Sequence, residues 1–174
     1  MMILLSTHGS IKNVESFVQQ LILFSKEEQC VVQAFDARLI YGEDHLISAT
    51  MHAKRAFQQG TNATNSLALE ILLYAAGERQ IQKAIKKMGV KKGRKHIVFL
   101  LTDSVDLKSK KIPEKQLIHR LLTLFQLTQD EQAPKGNRET LKRFGITDKE
   151  LSTVPKEKYG DLILERVAMV DVIK

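Results

Sequence analysis

Apolar residues follow two spacings along this chain, one typical of strands and the other of helices. Residues 3–5 form a short apolar run that predicts a first strand. Residues 30–35 are rich in β-branched and aromatic side chains and predict a second strand, with a turn and a short extended piece at residues 36–40. Between these two predicted strands, helical spacing of apolar residues predicts a helix, with Val14, Phe17, Val18, Leu21 and Phe24 on its apolar face.

The middle of the chain predicts three helices and a central strand. The first helix ends at Gly60, because glycine tolerates the left-handed backbone beyond helix ends, and its apolar face is Leu46, Ala49, Ala53, Ala56 and Phe57. Residues 67–76 are apolar on nearly every side except at Glu70, which predicts a buried helix. After Gly77 a third helix places Ile81, Ala84, Ile85 and Met88 opposite Arg79, Lys83, Lys86 and Lys87. Residues 96–102 form a continuous apolar run, as in a strand covered on both faces.

The last third of the chain predicts further helices. Pro113 suits a first helical position before an apolar stripe of Leu117, Ile118, Leu121, Leu122 and Phe125, and residues 128–137 predict a polar loop. Thr147 and Glu150 have the spacing of a capping box. Residues 155–167 predict a helix and residues 168–173 an extended segment. We therefore expect a mixed α/β fold: a single two-layer domain over residues 1–174, with a small sheet flanked by helices.

Composition places the chain among ordinary cytosolic proteins. A length of 174 residues with 43% hydrophobic residues suits one domain with a buried core. No apolar run approaches the roughly 18–20 residues of a membrane span, and residues 1–5 carry no basic region of a signal peptide. Cys30 is the only cysteine, which excludes intramolecular disulfides and multi-cysteine metal sites. In an apolar strand it is expected to act as a small buried hydrophobe.

The positive charge is concentrated in one segment. Residues 77–95 carry eight basic residues and one acid, Glu78, so this segment holds the whole net charge of +7. Such a cluster indicates a surface for an anionic partner such as nucleic acid. A solvated helix face followed by a basic turn is the equally ordinary alternative.

Catalytic and metal-binding patterns are weak. The sequence has no dinucleotide-binding, P-loop, nucleophile-elbow or zinc-protease motif. His45 and His52 are seven residues apart on one predicted helix but lack a carboxylate at matching spacing. Glu70 and Glu78, beside Arg79, could be paired carboxylates for acid–base chemistry, although capped or ion-paired structural roles are favoured. We expect no catalytic residues, metal, cofactor, membrane contact or small-molecule substrate.

Residues 69–89 resemble the most recognisable segment of the small accessory subunits of the KEOPS complex, the TPRKB-like family. The matching positions are Glu70, Ile71, Leu72, Tyr74, Ala75, Ala76, Gly77, Arg79, Gln80, Ile81, Ala84, Ile85 and Gly89. Residues 33–40 and 164–171 also resemble the family, whereas the lysine-rich segment 104–154 does not match it. The resemblance implies a non-catalytic subunit that docks on the atypical kinase/ATPase subunit and grips the single-stranded CCA end of tRNA during threonylcarbamoyladenosine synthesis.

Two candidate surfaces follow from the resemblance and the pattern together. Two predicted helix starts, at residues 65–66 and 77–80, offer free backbone amides that can bind phosphates. Basic side chains follow the second start. The predicted nucleic-acid surface comprises Asn65, Ser66, Gly77, Arg79, Gln80, Lys83, Lys86 and Lys87. The C-terminal segment holds more apolar residues than one buried face requires, and the predicted kinase-docking residues are Leu162, Leu164, Val170, Val172 and Ile173. The alternatives are an RNA-processing enzyme with a site near Glu70, Glu78 and Arg79, and a purely structural adaptor.

Overall fold

The computed structural model describes residues 1–106 and 111–173, in which strands and helices are interspersed. In chain order the elements are β1 (Met2–Ile11), α1 (Val14–Glu28), β2 (Val31–Asp36), α2 (Glu43–Gln59), α3 (Leu67–Ala76), α4 (Ile81–Met88), β3 (Gly93–Thr102), α5 (Glu114–Phe125), β4 (Thr128–Gln129), α6 (Arg138–Phe144), α7 (Asp148–Leu151) and α8 (Tyr159–Met169). The predicted mixed α/β class, with a small sheet and flanking helices, is confirmed.

The chain divides into two compact units, each assembled from two separate segments. The sheet unit comprises Met1–Ala37 and Val90–Ala133, and the helical unit comprises Arg38–Gly89 and Pro134–Lys174. Because the chain enters each unit twice, neither unit corresponds to a continuous stretch of sequence. No helix in the described part of the chain is long and apolar enough to span a membrane.

The sheet unit is built on four antiparallel strands in the order β2-β3-β1-β4. Alternate residues of the two long central strands, including Leu5 and Phe99, point into one core with side chains from α1 and α5 such as Phe17 and Leu121. β1 extends to Ile11, well beyond the predicted residues 3–5, because its polar second half pairs with β3 over the full strand length. Cys30 is buried in this core, where burial raises the pKa of its thiol to about 11, as expected for a packed cysteine.

The helical unit is centred on α3, most of whose residues are buried. Ser66 accepts a hydrogen bond from the Leu69 amide and caps the start of α3. Gly60 and Gly77 end α2 and α3 in the left-handed conformation, at φ of 68° and 65°. The predicted capping box is also confirmed, since Thr147 and Glu150 bond to each other's amides at the start of α7.

Three local predictions were wrong. Residues 168–173 are not extended, because α8 continues to Met169 and the chain then turns, with amides of residues 172 and 173 bonded to the Met169 carbonyl. Ile85, assigned to the buried face of α4, is 43% exposed. The polar region after α5 contains the two-residue strand β4 and is followed by α6, neither of which the apolar pattern predicted.

Candidate nucleic-acid interface

The two predicted phosphate-binding points lie at opposite ends of α3. Asn65 is exposed just before the helix, and the Ser66 hydroxyl is used in capping it. Gly77 follows the last residue of the same helix. With a rise of 1.5 Å per residue, the two points are separated by about 16 Å. A ligand that touches both must therefore run along the helix.

Gly77 does not offer its amide to a ligand. Its N–H bonds to the Tyr74 carbonyl at 3.0 Å and closes the end of α3. A Cβ atom at this position would lie 3.3 Å from the Cβ of Arg166 in α8. Glycine is therefore required here by the left-handed backbone and by the close approach of α8, which corrects its assignment as a phosphate donor.

The start of α4 retains the features expected of an anion-binding helix end. Gln80 is exposed at the N-cap position and makes no side-chain capping bond. Lys83 and Lys86 are exposed one turn apart on the same helix. These three residues present a polar, basic surface to solvent, as the sequence predicted.

Lys87 departs from this basic surface. Its Nζ donates a hydrogen bond to the Ala76 carbonyl at 2.8 Å and lies 3.9 Å from the ring centre of Phe144. A Glu78 carboxylate oxygen is 3.9 Å away. Burial lowers the pKa of Lys87, although the nearby Glu78 charge opposes this change. Lys87 therefore holds the end of α3 against α6 and is a structural residue, contrary to its prediction as an RNA contact.

Arg79 points into a cleft beside α3. The cleft has a volume of about 300 Å³ and is lined by Arg55, Ala56, Gln59, Thr61, Tyr74, Arg79 and Asp171. The Arg79 guanidinium donates to the Val170 carbonyl at 3.4 Å. Two guanidinium groups and one carboxylate give this cleft a net positive charge. Such a lining suits an anionic ligand.

A polar network crosses the cleft from α2 to the turn after α8. The Tyr74 hydroxyl donates to Asp171, whose other carboxylate oxygen lies 2.8 Å from His52 Nδ1. Arg55 Nη2 lies 2.7 Å from the same imidazole nitrogen, and the His52 and Tyr74 rings stack with centres 5.5 Å apart.

This network shifts the pKa values of two of its members. Burial and the bond to Asp171 both raise the pKa of Tyr74. Burial also raises the pKa of Asp171, but hydrogen bonds from Tyr74 and His52 outweigh it and lower that pKa overall.

Glu70 is a structural carboxylate. It is buried, and its oxygens accept hydrogen bonds from the amides of Ala63 and Thr64 at 3.0 and 2.9 Å and from the Thr64 hydroxyl at 2.9 Å. It thereby holds the loop between α2 and α3. Glu78 lies beyond the other end of α3, beside Lys87. The two carboxylates are not brought together, so the structure gives no support to a paired acid–base site.

His45 and His52 do not share a metal site. His45 is buried, its Nε2 bonds to the Ala75 carbonyl at 2.8 Å, and its Nδ1 accepts from the Tyr41 amide at 3.3 Å. Burial lowers the pKa of His45 to about 4. Both ring nitrogens are therefore used within the fold, while His52 belongs to the cleft network.

The C-terminal segment presents apolar side chains to solvent. Val172 and Ile173 are 70% and 51% exposed, and Met169 is 39% exposed. Leu162 and Leu164 are half-buried on α8. Val170 is buried, so its assignment to a docking surface is corrected. Of the remaining apolar residues, Val172 directly follows Asp171 of the cleft.

The sequence prediction missed the part of the cleft that α2 contributes. His52 and Arg55 are three residues apart, the spacing that places two side chains on one helix face. Tyr74 and Asp171 fall in the two segments that resemble one family. The spacing of His52 and Arg55 could have suggested that the cleft includes α2. Placing them with Tyr74 and Asp171 requires knowing that α2 packs against α3 and α8.

Fold and cleft together define a mixed α/β protein with a basic cleft beside a buried central helix. A model of the family "Kinase binding protein CGI-121" matches residues 9–171, and the chain belongs to that family. It is similar to the KEOPS complex subunit Cgi121 of Pyrococcus abyssi (strain GE5 / Orsay), with 41% identity over 56 residues. This alignment covers 32% of the chain and 33% of the length of that subunit. The resemblance found in residues 69–89 is thus confirmed, and the family match includes the segment 104–154.

Proposed function

We propose that this protein is a non-catalytic accessory subunit of a KEOPS complex in the cytoplasm. It binds tRNA through the 3′ CCA end and docks on the kinase/ATPase subunit, thereby supporting threonylcarbamoyladenosine modification. The family match and the similarity to a KEOPS subunit support the complex. The observation that carries the tRNA assignment is the pair of guanidinium groups, from Arg55 and Arg79, in one cleft.

The RNA surface starts in the cleft and continues along α4. Arg55 and Arg79 suit phosphate oxygens because a planar guanidinium donates two parallel hydrogen bonds. Lys83 and Lys86 add exposed positive charges on α4. Gln80 is exposed at the start of this helix, directly after Arg79. Phosphate contacts of this kind position RNA without reading its bases. That property suits the CCA end, which is shared by all tRNAs.

The kinase-docking surface is proposed at the exposed apolar residues of the C-terminal segment, Met169, Val172 and Ile173. Leu162 and Leu164 of the same segment are half-buried on α8 and contribute only their exposed parts. Exposed apolar groups next to a polar rim are typical of protein interfaces. Asp171 lines the RNA cleft and directly precedes Val172. Kinase and tRNA would thus contact adjoining parts of this subunit.

The tRNA assignment is tested by binding of intact tRNA and of tRNA trimmed of its CCA end. Arg79→Glu should weaken binding by at least about 1–2 kcal/mol, because it replaces a charge-assisted contact with repulsion. Arg143→Glu, at an exposed position of α6, is the matched control for the change in net charge. Equal affinity of Arg79→Glu and the parent protein, or of trimmed and intact tRNA, would refute the site.

The docking assignment is tested by capture of the cognate kinase subunit. Val172→Glu with Ile173→Glu should abolish capture, whereas Ile22→Glu, at a 50% exposed position of α1, should leave it intact.

Prolonged incubation of the protein with tRNA tests the RNA-processing alternative, since a non-catalytic subunit releases no cleaved RNA. Failure to bind tRNA at all would favour the purely structural adaptor.

A further inference from the structure

Three metal-ligating side chains converge on one face of the sheet unit, apart from the basic cleft. They are His8 of β1, His96 of β3 and Asp130, which follows β4. One potential ligand atom from each residue lies within 4.8 Å of the other two. Neither the sequence pattern nor the proposed tRNA and kinase contacts assign these residues a role.

The strand register brings them together. His8 is directly opposite His96 in the β1–β3 pair. On its other side β1 pairs with β4, where His8 is opposite Thr128, and the Asp130 amide continues the ladder by bonding to the Ser6 carbonyl at 2.8 Å. Residues two apart on a strand share a face, so Asp130 lies diagonally next to His8. Three different strands or strand ends thus place the three side chains on one surface.

The distances allow a cation to bind after side-chain adjustment. Asp130 Oδ1 lies 2.5 Å from His8 Nδ1, and Asp130 Oδ2 lies 3.3 Å from His96 Nδ1. Tetrahedral zinc, with bonds of about 2.0–2.1 Å to its ligands, separates neighbouring ligand atoms by about 3.3 Å. These two contacts use different carboxylate oxygens. For one tetrahedral ion, the three ligand atoms, which lie within 4.8 Å of one another, need to change their separations by up to about 1.5 Å.

We propose that His8, His96 and Asp130 bind a divalent transition-metal ion, for which Zn²⁺ is the best match. Two imidazoles and one carboxylate form a borderline donor set that zinc favours, whereas Mg²⁺ and Ca²⁺ prefer oxygen ligands alone. The His96 side chain is 71% exposed and that of Asp130 is 25% exposed. The site is therefore open to solvent on one side, where water or a group from another molecule completes the coordination.

The structure also explains why such a site can form on a sheet. β3 and β1 are long central strands, so the backbone that carries the two histidines is fixed by ladder bonds on both sides of His8. The adjustment therefore involves the three side chains rather than the backbone. Ligands placed on regular strands in this way lose less conformational freedom on binding than ligands on loops.

Zinc titration of the full-length, untagged and chelator-treated protein tests the proposal. Calorimetry should show one equivalent of Zn²⁺ bound per chain, and Co²⁺ should give the intense visible absorption of a four-coordinate site. Asp130→Asn and His96→Ala should each weaken zinc binding by at least about tenfold. Circular dichroism of each variant establishes that it is folded, and His8→Gln provides a third variant if either of the others unfolds.

His119→Ala is the matched control, because His119 is an exposed histidine on α5 outside the cluster. It should bind zinc with parental affinity. The proposal is overturned if the parent protein shows no saturable zinc binding, or if folded cluster variants bind zinc as the parent does. In either case the three residues form only a hydrogen-bonded His–Asp–His cluster. Since tRNA and kinase binding are not measured here, this result is independent of the proposed function.

Discussion

The ammonium nitrogen of Lys87 lies 3.9 Å from the centre of the Phe144 ring, 57 residues further along the chain. Its sequence neighbour Lys86 is exposed. Two adjacent lysines of one helix thus have different roles, since Lys87 joins α3, α4 and α6 while Lys86 extends into solvent. The basic segment is therefore partly a structural feature of the helical unit.

Lys87→Gln should lower the free energy of unfolding by about 1–3 kcal/mol. The substitution removes a cation–π contact worth about 0.5–2 kcal/mol and a hydrogen bond to the Ala76 carbonyl worth about 1 kcal/mol. Urea denaturation followed by circular dichroism measures the difference. Lys86→Gln is the control and should change the stability by less than about 0.5 kcal/mol. Equal effects of the two substitutions would show that the ring contact contributes nothing.

His45 should make the protein less stable as the pH falls from 6.5 toward 4. Its pKa is lowered from 6.5 to about 4 by burial, so the unfolded chain binds a proton that the folded chain excludes. Stability is complete above the unfolded pKa and decreases below it, by about 2 kcal/mol between pH 6.5 and pH 5.

The measurement is the free energy of unfolding in urea at several pH values between 5 and 7. His45→Gln should flatten the pH dependence in this interval, whatever its effect on stability at pH 7. Carboxylates with lowered pKa, such as Asp171 and Asp148, lose their contributions only at lower pH, below their unfolded values near 4. An unchanged slope in the variant would mean that His45 is not the titrating group.

Sequence patterns predicted α2 and α3 of the helical unit because the information for these helices is local. The apolar face of α2 and the terminal Gly60 lie within a few residues of the backbone they shape. The second half of β1 was missed for the opposite reason. Its polar residues carry no apolar signal, and they become a strand only by pairing with β3, some ninety residues away. The end of α8 was misassigned because its apolar residues suit a strand equally well.

The candidate cleft was predicted only in part. Arg79 and Tyr74 were identified within the family-like segment, and the exposed Lys83 and Lys86 follow from helical spacing. Arg55 was not identified, because its place depends on the packing of α2 against α3 and α8. Lys87 was misassigned because helical spacing places it with the other lysines, whereas its partner Phe144 belongs to a helix that the pattern did not predict.

Glu70→Gln should destabilise the loop between α2 and α3 and the protein as a whole. The substitution replaces one carboxylate oxygen by an NH2 group. The amide of Ala63 or Thr64, which donates to the carboxylate in the parent protein, would then face another hydrogen-bond donor. We expect a loss of about 1–3 kcal/mol in the free energy of unfolding.

Hydrogen exchange should locate this effect, with faster exchange at the amides of residues 63 and 64. Glu28→Gln is a comparable change in the sheet unit, where the Glu28 carboxylate pairs with Arg120 at 2.7 Å, and it should leave exchange in the loop unchanged. A catalytic role for Glu70 makes a different prediction: full stability with loss of an RNA-processing activity.

The salt dependence of tRNA binding should report the number of phosphates that this protein contacts. Neutralising Z phosphates of a single strand releases counterions, so the logarithm of affinity falls with the logarithm of salt with a slope of about −0.7Z. Arg55, Arg79, Lys83 and Lys86 are the cations of the proposed surface. Four contacts give a slope of about −3.

Lys83→Gln combined with Lys86→Gln should therefore flatten the slope by about 1.4 units and weaken binding of all tRNAs alike, because phosphate contacts carry no base information. Lys87 is left unchanged, since its replacement would perturb the fold. Lys156→Gln with Lys158→Gln removes two exposed lysines from another part of the helical unit and should retain the parental slope. If the α4 variant also retains the parental slope, its lysines are only solvated, and tRNA binding would have to depend on the cleft arginines alone.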